Sequence, residues 1–388
     1  MTPRRLLILG IVALVAIGGG LWLAQRQSGA PASAYGLLYP DFKKQLDSVS
    51  AVRIYKAGDA RAVEIVRKDS AHESAWGVSE RAGYPVDAAK LRKLLLAIAD
   101  AKVFEEKTSN PGQYKNLSVE DTGAADATSV RIEIAGPATP VNLIVGKPGV
   151  GAQSQYVRRA GEAPSWLVNA TIDSAASPDA WLDKDIIDVG ADRVQSAAIT
   201  PAGAKTYTVA KNSRADANFN VDGMPKGKEL SSPAAANSFA TALVGVTLAD
   251  VQAASAMPAG APGAHATYKT FDGLVADVDG WVRDDKHYIA IKTSYDGAHA
   301  GRFKIPTADD KKDPKSGDAA KAADSAKAAD NAKSSAAAPD VASQAAALNT
   351  RLAGWVYEVP SYKYEAIFRP LDELLKHEPS KKNELFKK

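Results

Sequence analysis

The stretch Val49–Tyr55 reads VSAVRIY, and the alternation of side chains over its residues Val52–Tyr55 is typical of a half-buried strand. The stretch Val194–Thr200 reads VQSAAIT and has the same character 145 residues later. The elements after each stretch also recur: a second strand, an aromatic third strand, a helix and further strands. We therefore predict two tandem β-rich units, each with a packed helix, and interpret them as an internal duplication. Two unrelated α+β domains with generic patterning are the alternative.

Each predicted unit contains one amphipathic helix. In the first unit, Pro85 and Asp87 introduce a helix whose apolar residues follow the i, i+3, i+4, i+7 spacing of one helix face: Leu91, Leu94, Leu95 and Ile98. In the second unit, Ser232 and Pro233 supply an N-cap and a first-turn proline. The apolar residues that continue that helical spacing are Phe239, Leu243 and Val246. The fold class predicted is α+β, with a transmembrane helix before the two units.

The segment Leu6–Ala24 contains no charged side chain. At about 1.5 Å per residue it reaches roughly 28 Å, close to the ~30 Å thickness of a hydrocarbon core. Arg4 and Arg5 precede the segment and only Arg26 follows it closely, which predicts a cytoplasmic N-terminus. We therefore predict a single-pass anchor in the bacterial inner membrane, with the body outside the cytoplasm. A signal peptide cleaved after Ala34 is the alternative.

Seven segments make up the predicted organisation. In chain order they are a cytoplasmic N-terminus (1–5), the anchor (6–24), a tether (25–34), a first β-rich unit (35–180), a helical connector (181–190), a second β-rich unit (191–376) and a basic tail (377–388). The second unit includes residues 307–350, a quasi-repeat of Ala, Lys, Asp and Ser with almost no large apolar residues. Such a tract cannot bury enough surface to offset its ordering entropy, so we predict a solvated loop.

The composition excludes several kinds of chemistry. The chain has no cysteine, which rules out thiol catalysis and cysteine-ligated metal sites. Lys and Arg number 48 against 45 Asp and Glu, and the two signs are interspersed. We therefore predict no nucleic-acid binding. The chain has 388 residues, so the body after the predicted anchor is long enough to be stabilised by an ordinary core without disulfides.

The motifs that could carry chemistry are weak. The stretch Gly146–Gly151 (GKPGVG) is glycine-rich but lacks the phosphate-binding order and is followed by a strand, so a hairpin loop is favoured. The five histidines have no metal-ligand spacing and are predicted at the surface, near loops or strand ends: His72, His265, His287, His299 and His377. The sequence contains neither a nucleophile elbow nor an S-x-x-K motif.

Carboxylate pairs and aromatic residues give no assignable site either. Three pairs are predicted in turns as solvated charges: Glu105–Glu106, Glu120–Asp121 and Asp284–Asp285. Three aromatic residues could form a stacking surface for a sugar or a peptide, but core or cross-strand pairing is the commoner role at strand positions: Trp281, Tyr288 and Tyr295. We assign no catalytic, cofactor-binding or metal-binding residue.

Short motifs along the chain together resemble a bacterial family known as domain-of-unknown-function family 4340. They are the Trp76 strand with the Pro85 and leucine helix after it, Leu143–Lys147 (LIVGK), Tyr156–Arg159 (YVRR), Trp181–Asp183 and Gly354–Pro360 (GWVYEVP). The resemblance covers most of the chain from Tyr35 to Lys376, and the tract at 307–350 departs from it. It implies a membrane-anchored extracytoplasmic protein, in some members an auxiliary part of ABC-type transport systems, including the gliding-motility type. It supplies no catalytic residue.

Three functions are consistent with the sequence. The leading hypothesis is a non-enzymatic extracytoplasmic module that assists an ABC-type envelope transport complex or binds an envelope ligand. The alternative is an envelope hydrolase acting on glycan or peptide through scattered Asp, Glu or His residues, which converging carboxylates of perturbed pKa would favour. The third is a structural spacer, which a surface without pockets or apolar patches would favour.

Overall fold

The computed structural model describes residues 36–69, 74–151, 153–256, 260–303 and 340–376. The chain divides into two compact units, Met1–Asp183 and Lys184–Lys388. The described part of each unit is organised around one large antiparallel sheet.

The first unit contains a nine-stranded sheet. Its strands are β1 (Ala51–Lys56), β2 (Ala60–Asp69), β3 (Ser74–Val78), β4 (Tyr84–Pro85), β5 (Val103–Thr108), β6 (Val130–Ala135), β7 (Val141–Pro148), β8 (Gln155–Arg159) and β9 (Ser165–Val168). In space they are ordered β4-β3-β2-β1-β6-β7-β8-β9-β5. In the described part of this unit, two α-helices accompany them, α1 (Ala88–Ala99) and α2 (Tyr114–Leu117), with 3-10 helices at Phe42–Ser48, Ala57–Asp59, Ser79–Arg81, Pro111–Gln113 and Pro178–Trp181.

Alternation within the strands separates the core from the outer face of this sheet. In β1, Val52 and Ile54 are fully buried, whereas Arg53 is part-exposed and pairs with Glu64 of β2 at 2.7 Å. Helix α1 begins where Asp87 accepts a hydrogen bond from the Lys90 N–H at 2.9 Å, as the capping pattern predicts. The helix buries its apolar stripe in the core of the unit: Leu91, Leu94 and Ile98.

The second unit contains an eight-stranded sheet and a two-stranded one. The strands are β10 (Asp185–Ile187), β11 (Val194–Thr200), β12 (Tyr207–Ala210), β13 (Asn220–Asp222), β14 (Val246–Thr247), β15 (Asp250–Ala253), β16 (Ala264–Thr270), β17 (Leu274–Arg283), β18 (Lys286–Tyr295) and β19 (Trp355–Val359). The large sheet is ordered β13-β12-β11-β16-β17-β18-β19-β15, and β10 pairs with β14. The helices are α3 (Gly297–Arg302), α4 (Val341–Leu352) and α5 (Ser361–Ile367), with 3-10 helices at Ala235–Thr241, Ala254–Ala256 and Leu371–Leu374.

The two large sheets share one strand order. Reading β3-β2-β1-β6-β7-β8-β9-β5 in the first unit against β13-β12-β11-β16-β17-β18-β19-β15 in the second matches every strand except β4. In the first sheet β5 comes before β6–β9 in the chain but lies at the sheet edge beyond β9. In the second sheet β15 comes before β16–β19 in the chain but lies at the edge beyond β19. This crossover is a specific topological feature, so its occurrence twice is what a duplicated unit produces. The stretches VSAVRIY and VQSAAIT occupy the equivalent strands β1 and β11.

The predicted fold class, with an N-terminal transmembrane helix, is wrong for the described structure. The described residues form a mixed α/β protein with large antiparallel sheets, and none of their helices is long and apolar enough to cross a membrane. The longest of these helices, α1 and α4, have 12 residues each, whereas a span needs about 20. The predicted anchor at 6–24, the termini at 1–5 and 377–388 and the tether at 25–34 lie outside the described residues.

Two predicted elements in the second unit also differ from the structure. The helix expected after Ser232 is a 3-10 helix, Ala235–Thr241, without a side-chain N-cap. The predicted loop at 307–350 overlaps helix α4, which begins at Val341 and packs against β18, burying Ala345 and Leu352. Residues 307–339 lie outside the described part.

The predicted helical connector at 181–190 is extended for most of its length. The 3-10 helix Pro178–Trp181 ends where the connector was predicted to begin, and β10 follows. Trp181 itself is fully buried in the first unit, where its indole N–H donates to the Ala175 carbonyl at 2.8 Å.

Candidate functional site

A cavity of about 530 Å³ lies on the outer face of the first unit's sheet. Ile144 of β7 and Arg158 of β8 are cross-strand partners on the face opposite the core residues Leu143 and Val157. The segment between β5 and β6, residues 109–129, covers this face and supplies most of the cavity lining. We call this feature the Arg158 cavity. Its charged lining residues are Lys115, Glu120, Asp121, Asp126, Arg158 and Glu162.

A small apolar cluster holds the covering segment on the sheet. Tyr114 of α2, Val119 and Ile144 are buried together, separately from the core on the other face. Gly146 of β7 permits the close approach, because a Cβ atom there would lie 2.3 Å from the Leu117 carbonyl oxygen. The glycine-rich stretch at Gly146–Gly151 therefore has a packing role at its first residue and forms the β7–β8 hairpin, as predicted.

Arg158 is the buried cation of the cavity, with only 3% of its side chain exposed. Its Nε donates to the Val119 carbonyl at 2.8 Å, and its Nη1 donates to the Glu162 carbonyl at 2.9 Å. Its Nη2 donates to the Asp121 carboxylate at 2.6 Å, and the guanidinium lies over the Tyr114 ring, 4.5 Å from the centroid. The guanidinium thus ties the covering segment to β8 and to the turn that follows it.

Glu120 is the buried carboxylate of the cavity, with 9% exposure. Its Oε1 accepts hydrogen bonds from the Thr128 N–H at 2.6 Å and the Thr128 hydroxyl at 2.9 Å. Its Oε2 is buried and has no hydrogen-bond partner among the described residues. Burial alone would raise the pKa of Glu120, but the hydrogen bonds from Thr128, together with the nearby backbone N–H groups of Glu120 and Ser129, outweigh it and leave that pKa below its usual value. The side chain is therefore an anion with one unsatisfied oxygen.

The charges around the cavity pair off with one exception. Asp121 pairs with Arg158 at 2.6 Å, Asp126 with Lys115 at 2.5 Å, and Glu162 with Arg159 at 2.8 Å. The hydrogen bond between Lys115 and Asp126 lowers the pKa of the carboxyl and raises that of the amine, so both are charged. Glu120 has no ion-pair partner within the described ranges. Among the described residues of the cavity, the carboxylate without an ion pair is therefore also the one with an unsatisfied acceptor oxygen.

The predicted histidine positions are partly wrong. His265 lies on β16 with its Nδ1 2.8 Å from an Asp279 carboxylate oxygen, and His287 on β18 packs against the Tyr364 ring. His299 is buried in α3 rather than exposed, because its ring packs against Phe303. Within the described ranges no group of three potential metal ligands comes together, and His72 and His377 lie outside those ranges.

The carboxylate pairs have three different environments. Glu105 and Glu106 lie in the edge strand β5, so their predicted place in a turn is wrong. Asp284 and Asp285 form the two-residue turn of the β17–β18 hairpin, with φ of 48° and 60°. The pair Glu120–Asp121 is in a loop, but it is part of the Arg158 cavity rather than a solvated charge pair.

The three aromatic residues considered for a stacking surface lie on the neighbouring strands β17 and β18. Trp281 and Tyr288 are cross-strand partners in β17 and β18, which is the alternative to a stacking surface, while Tyr295 is 43% exposed at the end of β18.

Arg158 was not singled out by sequence reasoning. Its only signal was a charged residue at an alternate position of a strand, within YVRR.

The fold and the cavity together define a class: a two-unit protein of repeated antiparallel topology with a polar cavity in its first unit. Residues 76–267 match the family model of a domain of unknown function (DUF4340), and this match supports the family identity that the short motifs indicate. The matched segment begins in β3 and ends in β16, so it includes every residue that lines the Arg158 cavity. Neither the curated proteins nor the solved structures include a match to this chain.

Proposed function

We propose that the protein is a binding module that acts outside the cytoplasm and holds a partner through the Arg158 cavity. The group recognised is a single ammonium, such as the end of a lysine side chain presented by the partner. The observation that carries the proposal is the state of Glu120, an ionised and buried carboxylate whose Oε2 has no hydrogen-bond partner and which forms no ion pair with a described residue.

A buried charge without a partner is unfavourable, and a ligand that supplies the opposite charge relieves that penalty. Only Oε2 of Glu120 is available, because Oε1 already accepts two hydrogen bonds from Thr128. A guanidinium prefers to bind both oxygens of a carboxylate, whereas an ammonium is a point charge that binds one. The geometry therefore favours lysine over arginine as the recognised side chain.

Lys115 and Asp126 lie on the exposed side of the cavity that Glu120 also lines. Lys115 and Asp126 line the cavity with 59% and 72% of their side chains exposed. Their ion pair is screened by solvent, so a competing ammonium displaces Lys115 at little cost. The incoming cation then retains Asp126 as a second partner beside Glu120.

Binding is favoured over hydrolysis at this cavity. A glycoside hydrolase needs one carboxyl group of raised pKa to donate a proton to the leaving group. The pKa values of Glu120 and Asp126 are both lowered, so these groups stay ionised near neutral pH. The carboxylates of perturbed pKa in this cavity suit the recognition of a cation.

The family resemblance suggests the setting in which such a partner occurs. We propose that the protein is an accessory component of an ABC-type envelope transport system, the gliding-motility type included, and that a subunit of that system presents the lysine.

Carbodiimide crosslinking in intact cells tests this function. A carbodiimide joins a carboxylate directly to an amine, so a lysine seated in the cavity should become linked to Asp121 or Asp126, the exposed carboxylates of the lining. Mass spectrometry of the full-length chain identifies the linked peptides. We expect a link between one of these residues and a lysine of a transport subunit.

Two variants separate recognition from chance proximity. Glu120→Gln removes the buried charge with almost no change of shape and should abolish the link. Glu106→Gln makes the same change on the exposed edge strand β5 and should leave the link intact. Links that persist in Glu120→Gln, or an absence of links to the cavity carboxylates, would show that the cavity does not hold a partner's lysine.

A further inference from the structure

A second cavity, of about 340 Å³, lies on the outer face of the second unit's sheet. Its floor consists of small side chains from β11 and β12, including Ser196, Ala198 and Thr208. These residues alternate with the core residues Ala197, Ile199, Tyr207 and Val209. One wall is formed by α3 and the residue after it, which supply His299, Arg302 and Phe303. We call this feature the His299 cavity.

His299 presents a hydrogen-bond donor that none of the described residues satisfies. The residue is 4% exposed, and its Nδ1 lies 2.8 Å from Nη2 of Arg302. A guanidinium can only donate, so Nδ1 accepts and the proton of the neutral ring is on Nε2. Nε2 is buried and has no partner among the described residues.

The ring is held in this state by its surroundings. Burial is the largest effect that lowers the pKa of His299, and the nearby charges of Arg302 and Lys269 lower it further. The backbone N–H of His299 donates to Asp296 at 2.8 Å, which fixes the residue in the first turn of α3. A neutral imidazole with an N–H on Nε2 is therefore the form present near neutral pH.

The charged side chains that line the cavity are both basic. Lys269 of β16 and Arg302 of α3 line it, and no carboxylate is among the lining residues that the structure describes. Lys269 lies 3.3 Å from Asp296, which is not part of the lining and compensates one of the two charges. One positive charge is left, beside the unpaired N–H of His299 and the hydroxyl groups of Ser196 and Thr208.

We propose that the His299 cavity binds a carboxylate or phosphate group of a small ligand. An oxygen of this group accepts from His299 Nε2–H, while Arg302 and Lys269 supply charge-assisted hydrogen bonds to the same group. The volume is at the lower end of the range for small-molecule sites, so the ligand is no larger than about a monosaccharide. This inference is independent of the function proposed for the Arg158 cavity, which takes a group of the opposite charge in the other unit.

Titration of the full-length protein with inorganic phosphate and with acetate tests the site. Chloride at equal ionic strength controls for general screening of the basic residues. The readout is the ¹⁵N signal of His299 Nε2 together with the binding heat. We expect saturable binding of at least one of the two probes, with a shift of the Nε2 signal that follows the same curve.

Four variants decide whether the named residues hold the ligand. Arg302→Gln changes an exposed residue and should weaken binding at least tenfold, as should His299→Phe, whose fold is checked by circular dichroism. His299→Gln keeps a donor near the Nε2 position and should retain part of the affinity. Lys292→Gln changes an exposed lysine of β18 outside the cavity and should bind normally. No saturation with either probe, or unchanged binding by Arg302→Gln, would overturn the proposal.

Discussion

Replacing Arg158 with methionine removes the charge that ties the covering segment to the first unit's sheet. Methionine keeps much of the side-chain length and apolar volume, so packing against Tyr114 is partly retained. The carbonyls of Val119 and Glu162 lose the donors that now lie at 2.8 and 2.9 Å. Asp121 loses a partner as well, but its side chain is 73% exposed and regains water.

The expected loss in free energy of unfolding follows from the three contacts that Arg158 makes with Val119, Glu162 and Asp121. A hydrogen bond from a charged donor contributes about 1.5–3 kcal/mol, and a buried acceptor left without a donor costs about 1–3 kcal/mol. Breaking a fully buried ion pair costs about 3–5 kcal/mol, which is an upper limit here because Asp121 is exposed. We therefore expect Arg158→Met to lower the free energy of unfolding of the first unit by about 3 kcal/mol, or roughly 100-fold in its opening constant.

Native-state hydrogen exchange measures this loss within the first unit, which matters because a chain of two units need not unfold in one step. Amides of β6, β7 and β8 should exchange faster in Arg158→Met, with no change in the strands of the second unit. Arg92→Met on the exposed surface of α1 is the control and should change stability by less than about 0.5 kcal/mol. If Arg158→Met were as mild as Arg92→Met, the buried guanidinium would not be holding the covering segment.

Three further changes have definite expected outcomes. Because the pKa of His299 is lowered in the folded protein, the unfolded chain binds more protons than the folded one below the ordinary value of 6.5. The free energy of unfolding should therefore fall as the pH drops through that value. The difference in this free energy between pH 7.5 and pH 5.5 should be smaller in His299→Gln. Gly146→Ala places a Cβ atom 2.3 Å from the Leu117 carbonyl oxygen and should cost about 1–3 kcal/mol in urea unfolding while exposing the Tyr114 ring to quenchers. Asp87→Ala removes the N-cap of α1 and should lower the free energy of unfolding by about 1 kcal/mol. Asp87→Asn keeps a capping side chain and should retain most of that stability.

Strand positions could be predicted where the pattern is local. The alternation in VSAVRIY places Val52 and Ile54 in the core and Arg53 outside it, as the structure has them. The cap at Asp87 and the leucine spacing are equally local, and α1 follows from them. The order of the strands in each sheet depends on pairings between distant segments, which no local pattern contains.

Tertiary contacts overrode the helical spacing after Ser232. Asn237 lies within the 3-10 helix Ala235–Thr241, where its side chain donates to the Ala217 carbonyl and accepts from the Phe219 N–H at 3.2 Å. Asparagine side chains that bond to backbone in this way compete with regular helix formation. Phe239 is nevertheless fully buried, so the apolar positions were predicted although the helix type was not.

The site residues could not be predicted because each looks ordinary in the sequence. Glu120 belongs to a common pair of acidic residues, and its burial depends on Tyr114 and Val119 covering Ile144. Arg158 becomes a buried cation only when residues 109–129 fold over β8. His299 has no motif around it, and its burial results from packing against Phe303.

The proposed function requires that Glu120 binds an ammonium group, and a titration with propylammonium tests this directly. The backbone amide of Thr128 donates to Glu120 and is the NMR reporter. We expect saturable binding with a dissociation constant of roughly millimolar order, as suits so small a ligand. Affinity should fall at least tenfold in Glu120→Gln and stay unchanged in Glu106→Gln. Equal binding by Glu120→Gln and the unmodified protein, or a Thr128 signal that never saturates, would show that Glu120 does not bind the ammonium group.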